Sequence, residues 1–287
     1  MKIIGADIGG THITTATLEL NGNQFEVNDL ADAYVDTFGA ADQIIASWAE
    51  VIHESAGDSK EFFLGVAMPG PFNYGQGISL IQDQGKMKSL YGLSVRNLLA
   101  EELGIPPTNI QFTNDAEAFL LGEIMQGTAG NSKRVLGITL GTGLGSAFFL
   151  NGKSQDAKLW TAAFRNGVAE DFLGTGWFVN QARSRFDLEI RGVRELIELD
   201  SSCSESLFQE FGLTFGEFLL PYLSEYEFEQ VVLGGKISFS AKRFLPFTHQ
   251  FLQEHGRELP IKLSQLGEQA ALIGACFPFF ETVNFIK

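Results

Sequence analysis

Three short stretches of this 287-residue chain combine residue types that can handle a phosphate and a proton. The first is Asp7-Ile8-Gly9-Gly10-Thr11. Its two glycines remove side chains where a backbone must approach something closely. Successive N–H groups there form an anion-binding nest, and Thr11 adds a hydroxyl donor. Asp7, ending an apolar strand, is placed to hold a hydrated Mg2+, an ion that keeps its waters and prefers carboxylates. The second stretch, Gly141-Thr142-Gly143-Leu144-Gly145, repeats the pattern. Three glycines in five residues weaken a strand pair, a cost that points to close backbone contact with a ligand. The third, Thr113-Asn114-Asp115, lies where a strand passes into a helix, the end of an open α/β sheet at which ligands bind. Phosphoryl transfer needs positioning, charge neutralisation and a base for the hydroxyl proton. Asp115 suits that base, and Asn114 could orient the hydroxyl. Gly234-Gly235, after Val231-Val232-Leu233, offers a flat backbone surface for an adenine ring. Plain readings stand beside each of these: a β-turn with an exposed Asp, a bulge at a sheet edge, a helix cap and a helix-entry turn. The spacings match neither a Walker loop nor a dinucleotide fingerprint.

The elements that must carry these residues follow from apolar periodicity. Met1 to Ile8 reads as a buried strand, and a second strand runs from the glycine turn through Leu18 to an Asn21-Gly22 hairpin turn. Residues 38–56 predict a helix, with Ile44, Ile45, Trp48, Val51 and Ile52 on one face. Phe62 to Met68 is a strand ending at the rigid Pro69-Gly70-Pro71 loop. Arg96 to Leu103 predicts a helix and Ile110 to Thr113 a strand. Asn114 caps a helix from Asp115 to about Gln126, with Glu117 completing a capping box. A second cycle has strands at Val135–Leu140, Gly145–Leu150 and Val231–Gly235, a mostly helical segment 167–218, and helices at Phe239–Glu254 and Gly267–Phe280. Gly5 to Thr11 can be laid on Gly137 to Gly143, which suggests two related halves, although so short an echo also arises by coincidence. Alternating strands and helices imply an α/β fold with a partly parallel sheet.

Composition narrows the classes. Hydrophobic residues make up 45% and charged residues 19%, an ordinary globular composition that argues against a disordered chain. A net charge of −15 disfavours nucleic acid, which requires a clustered positive surface. It leaves room for an anion such as ATP held by backbone N–H groups and Mg2+. The longest apolar run, Ala271 to Phe280, is too short to cross a bilayer. The first residues lack a signal-peptide pattern, and two distant cysteines, Cys203 and Cys276, fit a reducing compartment. The expectation is a cytoplasmic protein.

The segments ADIGGTHITTATL, GVAMPGPFNYGQGI, FTNDAEAFLLGE, GITLGTGLGSAFFLNGK, VVLGGKIS and GEQAALIGA together resemble the ROK family (repressors, open reading frames and kinases) of the actin-like ATPase superfamily. They keep the family's order and spacing across nearly the whole chain. The resemblance implies a two-domain actin-like ATPase (ribonuclease H-like) fold with an interdomain cleft. One domain would span 1–114 plus 268–287 and the other 115–267. By position, Asp115 resembles the family's catalytic base, Asn114 its sugar-binding partner and Gly70 its substrate-loop glycine. Gly9, Gly10, Thr11, Gly141, Thr142 and Gly143 resemble its phosphate hairpins, Gly234 and Gly235 its adenosine turn, and Glu170 a glutamate that meets sugar hydroxyls.

The departures matter as well. Members commonly carry a Gly-Glu-x-Gly-His segment and a cysteine-rich zinc loop. Here Asp156 to Glu170 reads DAKLWTAAFRNGVAE, with no His or Cys, so zinc is not expected. Lys158 stands where relatives have a sugar-binding Glu, and such a replacement changes which sugar fits. Position 12 is His where Lys is frequent. The resemblance implies an ATP- and Mg2+-dependent kinase for a hexose or N-acetylhexosamine. The competing reading is a non-catalytic sugar-binding regulator or pseudokinase. No DNA or membrane partner is expected, and the family's frequent dimers leave a homodimer open.

Overall fold

The structure is a computed structural model that describes residues 2–22, 24–82, 86–199 and 201–280. The chain divides into two compact units, one running to Asn131 and resuming at Glu268, the other spanning Ser132–Gly267. The predicted α/β class holds for both.

In the first unit, β1 (Lys2–Ile8), β2 (His12–Asn21) and β3 (Gln24–Tyr34) form an antiparallel meander. Then come α1 (Ala41–Ala56), β4 (Phe62–Met68), α2 (Val95–Leu103), β5 (Ile110–Asn114) and α3 (Asp115–Met125). β4 pairs in parallel with β1, and β5 with β4, giving the order β3-β2-β1-β4-β5. The apolar stripe predicted for residues 38–56 is the buried face of α1, although the helix begins three residues later, at Ala41. Trp48, Ile44 and Ile52 are fully buried with Ile4, Ile8, Ile13, Leu64 and Val66 of the sheet.

The second unit repeats the plan with β6 (Arg134–Leu140), β7 (Leu144–Leu150) and β8 (Lys153–Asp156). The helices α4 (Glu170–Leu173), α5 (Thr175–Phe186), α6 (Val193–Leu199) and α7 (Ser201–Tyr226) follow. β9 (Gln230–Gly234), α8 (Ala241–Glu254) and β10 (Ile261–Leu263) complete it. Its strand order, β8-β7-β6-β9-β10, is that of the first sheet position for position. The short glycine echo in the sequence thus marks equivalent turns, β1–β2 and β6–β7. Phenylalanines 178, 208, 211, 215, 218 and 244 fill this unit's core, all within 1% exposure.

The last predicted helix is broken. α9 (Gln269–Ala275) and α10 (Phe277–Phe280) meet at Cys276, whose buried thiol donates to Ile4 O at 3.4 Å. α9 packs within the first unit, and small residues let it. A Cβ added at Gly5 would lie 3.0 Å from Leu272 C, and at Gly65 2.6 Å from Ala275 C. Gly122 of α3 faces the Ala270 backbone in the same way. Ala67, Ala118, Ala271 and Ala275 fill the seam between β4, α3 and α9. Among the described residues, no helix is long and apolar enough to cross a membrane.

Candidate active site

Asp7 is the penultimate residue of β1, paired in register with Thr14 of β2 and Ala67 of β4. Its half-buried carboxyl is raised from the ordinary 3.8 to about 7, chiefly because burial penalises its charge. The carboxylates of Asp115 and then Glu268 add to that shift. Asp7, Asp115 and Glu268 therefore share one electrostatic neighbourhood, built from the ends of β1 and β5 and the start of α9. Among the described residues, no group of three or more His, Cys, Asp and Glu side chains is set to ligate a metal directly. A hydrated ion beside Asp7, held through its waters, is the arrangement these carboxylates fit.

The turn after Asp7 is closed from within: the Gly9 amide donates to His12 O at 2.8 Å. The Gly9 amide thus serves the turn itself. Thr37, fully buried, fixes the Gly10 end by donating its hydroxyl to Gly10 O at 2.6 Å. His12 is exposed, with Nδ1 at 3.1 Å from the Thr11 hydroxyl and its ring edge-on to Tyr34.

Asn114 and Asp115 sit at the β5–α3 junction. Asn114 Oδ1 accepts from the amides of Ala116 (3.1 Å) and Glu117 (3.2 Å), so the predicted cap exists. Its amide nitrogen is left to donate to the Tyr74 hydroxyl at 3.1 Å. That hydroxyl in turn donates to Met68 O at 3.1 Å. One residue therefore both caps the helix and presents an oriented amide. Asp115 is exposed at the helix start, its Oδ1 accepting from the Ala116 amide at 2.8 Å. Gly70 belongs to the loop that brings Tyr74 in, since a Cβ there would lie 3.3 Å from the Tyr74 hydroxyl. The loop is pinned by Arg96, which donates to the carbonyls of Gly75 (2.8 Å) and Tyr74 (3.1 Å).

In the second unit, the Gly141 amide donates to Gly143 O at 3.0 Å, and Gly141 O accepts from the Thr175 amide and hydroxyl. The start of α5 thus buttresses the Gly141-Thr142-Gly143 turn. Glu170 lies against the same turn: its Oε2 accepts from the Leu144 amide at 2.9 Å, and the carboxylate fills the space a Gly143 side chain would need. Gly235 has φ of +80°, and a Cβ there would meet the Leu140 backbone at the end of β6. Gly235 therefore packs directly beside the Gly141-Thr142-Gly143 turn of its own unit. Lys158 is exposed, its amide donating to Asp156 Oδ1 at 2.9 Å.

The structure thus brings Asp7, Gly9, Gly10, Thr11, Gly70, Asn114 and Asp115 into one unit, and Gly141, Thr142, Gly143, Glu170, Gly234 and Gly235 into the other. Sequence reasoning missed three participants. Glu268 and Tyr74 lie inside family-like segments but have no motif of their own. Thr37 lies outside every segment, and only its buried hydroxyl marks it.

Known proteins agree with this architecture. A β-glucoside kinase of Listeria monocytogenes is 25% identical over 99% of both chains. A ROK family glucokinase from Streptomyces griseus, solved with glucose and AMPPNP, superimposes with a TM-score of 0.78 at 18% identity over 97% of this chain and 99% of that one. A ROK family transcriptional regulator gives 0.75 at 18% identity, over 96% of this chain and 76% of its own. These likenesses establish the actin-like ATPase fold. The model of the ROK family matches residues 3–158, more than half of the sequence and the stretch that carries both glycine turns and the Asn114-Asp115 junction, and the chain belongs to that family.

Proposed function

We propose that this protein is an ATP-dependent sugar kinase that transfers the γ-phosphate to a hydroxyl of a hexose or N-acetylhexosamine. The observation that supports it most is the Asn114-Asp115 junction. An amide fixed by Tyr74 stands beside a carboxylate at a strand end, in the same electrostatic neighbourhood as Asp7. In this reading Asn114 and the Gly70 loop orient the sugar, and Asp115 takes the proton from the attacking hydroxyl. In the Gly9-Gly10-Thr11 and Gly141-Thr142-Gly143 turns, the amides after Gly9 and Gly141 would meet phosphate oxygens, and Gly234-Gly235 would offer a flat backbone to adenine. Asp7 would hold Mg2+ through water, and the ion would supply charge neutralisation on the phosphates. Beta-glucoside kinase and glucokinase are the activities named for relatives, so β-glucosides and glucose head the candidates. The pair of thiols, one of them buried, fits a cytoplasmic setting.

A second reading, a sugar-binding protein without turnover, is favoured by one observation: the Glu170 carboxylate already occupies a backbone donor of the second glycine turn, where a phosphate would sit. A coupled ADP-release assay with Mg2+·ATP across a panel of glucose, β-glucosides, N-acetylglucosamine and N-acetylmannosamine separates them. ADP release that depends on one of these sugars supports the kinase. Sugar binding by calorimetry with no ADP release supports the second reading and overturns the first.

A further inference from the structure

The side chain of Lys86 lies across the first glycine turn. A Cβ built on Gly10 would stand 2.7 Å from Lys86 Nζ and 2.8 Å from its Cδ, so the aliphatic stem packs against the bare Cα and the ammonium comes to rest at the turn. A side chain at position 10 would displace the lysine from this path. The backbone on both sides is tied down. The Met87 amide donates to Thr37 O at 2.7 Å, and the Thr37 hydroxyl holds Gly10 O. Ser89 Oγ donates to Gly39 O at 2.9 Å, and the Met87 side chain is buried. Lys86 and Gly10 thus hang from the same threonine.

The ammonium has no carboxylate within 4 Å among the described residues, although acidic side chains outnumber basic ones 35 to 20 in this chain. A lysine lying against the bare Gly10 Cα, with no carboxylate partner among the described residues, is a point charge suited to an oxygen anion. The residue next to the turn, His12, is exposed with its ring nitrogen against the Thr11 hydroxyl.

We propose that Lys86 is the phosphate-binding cation of the first glycine turn, meeting the terminal phosphates of the nucleotide beside Gly10 and Thr11. The assignment rests on the kinase reading and adds to it a residue that no glycine motif contains. Because Lys86 pairs with nothing among the described residues, removing its charge leaves the fold intact and weakens only ligands that carry β- and γ-phosphates.

The test compares the full-length wild type with Lys86→Met, which keeps the stem, and Lys86→Arg, which keeps the charge. Calorimetry with AMP and with Mg2+·AMPPNP reads the contact without turnover. Lys86→Met should bind AMPPNP roughly 5- to 20-fold more weakly, with AMP affinity and melting temperature unchanged, as for loss of one charge-assisted hydrogen bond. Lys86→Arg should recover most of that loss. Where the wild type turns over, kcat/KM for ATP should fall roughly 10- to 100-fold in Lys86→Met while KM for the sugar holds. Equal AMPPNP affinity in wild type and Lys86→Met, or equal weakening of AMP and AMPPNP, overturns the role of Lys86 and leaves the kinase reading standing. A wild type that binds neither nucleotide removes both.

Discussion

Gly274 of α9 is the tightest point of the first unit, and replacing it by alanine tests how α9 is held. A Cβ there would meet the Ala118 carbonyl oxygen of α3 and stand 2.6 Å from the Gly122 amide nitrogen and 2.7 Å from Ala118 C. Unstrained carbon contacts begin near 3.5 Å, so the helices must part by about 1 Å. All three atoms are backbone, and no rotamer change can relieve them. Overpacking of this kind costs roughly 1–3 kcal/mol, and a backbone wall on one side puts it at the upper end. Against that, alanine in a helix interior gains about 1 kcal/mol over glycine. The steric cost exceeds the propensity gain, leaving a net loss of about 2 kcal/mol. For a protein of this size that lowers the melting temperature by roughly 4–8 °C. Thermal unfolding followed by circular dichroism, with urea titration for the free energy, reads it directly. An unchanged or higher melting temperature in Gly274→Ala would show that propensity dominates and that the α3–α9 approach is looser than described.

Other outcomes follow from the site. Asp115→Asn should retain the fold and lose sugar phosphorylation by at least ~100-fold, measured as sugar-dependent ADP release, as expected for loss of a general base; turnover close to wild type would remove Asp115 from that role. Tyr74→Phe frees the Asn114 amide and Met68 O of one hydroxyl, so KM for the sugar should rise roughly 3- to 10-fold with little change for ATP; an unchanged sugar KM would speak against Asn114 as a sugar contact. Asp7 has a folded pKa of about 7 against 3.8 unfolded, so its favourable contribution is complete below pH 3.8 and is lost as pH rises through 7. Asp7→Asn should therefore gain stability over the metal-free wild type progressively from about pH 4 to pH 7, by up to roughly 4 kcal/mol and less for a half-buried group, and a pH-independent difference in unfolding free energy would refute it.

The legible parts of this chain were those in which one residue type answers one physical need. Asn114 was readable as a cap because few side chains accept two helix-start amides, and the structure places both bonds where expected. The face of α1 was readable because its apolar residues must repeat at the helical period. β3 was not. Its sequence, QFEVNDLADAY, is an exposed edge strand with few buried positions, so the alternation that marks a half-buried strand is faint. Asp29 in the left-handed region and a register shift between Thr15 and Thr17 blur it further. The break at Cys276 was signalled by Pro278, which has no amide to donate and whose ring clashes with the carbonyl four residues back, but the apolar run around it reads as one helix. Within the site, backbone glycines announced themselves, whereas Tyr74, Glu268 and Lys86 act through contacts between segments distant in sequence. Tyr74 meets Asn114 from 40 residues away, a separation that no local pattern encodes.

The discontinuity of the first unit has a bearing on its assembly during translation. β1, β4 and α3 present glycine and alanine surfaces shaped for a helix encoded more than a hundred residues later, while the second unit is one uninterrupted stretch. At ordinary elongation rates α9 leaves the ribosome on the order of ten seconds after Asn131. Through that interval the seam around Ala67 and Ala118 is open to solvent or to chaperones, and the intervening unit is free to mature first. Release of a product truncated before residue 268 would leave the nascent sheet without its clasp.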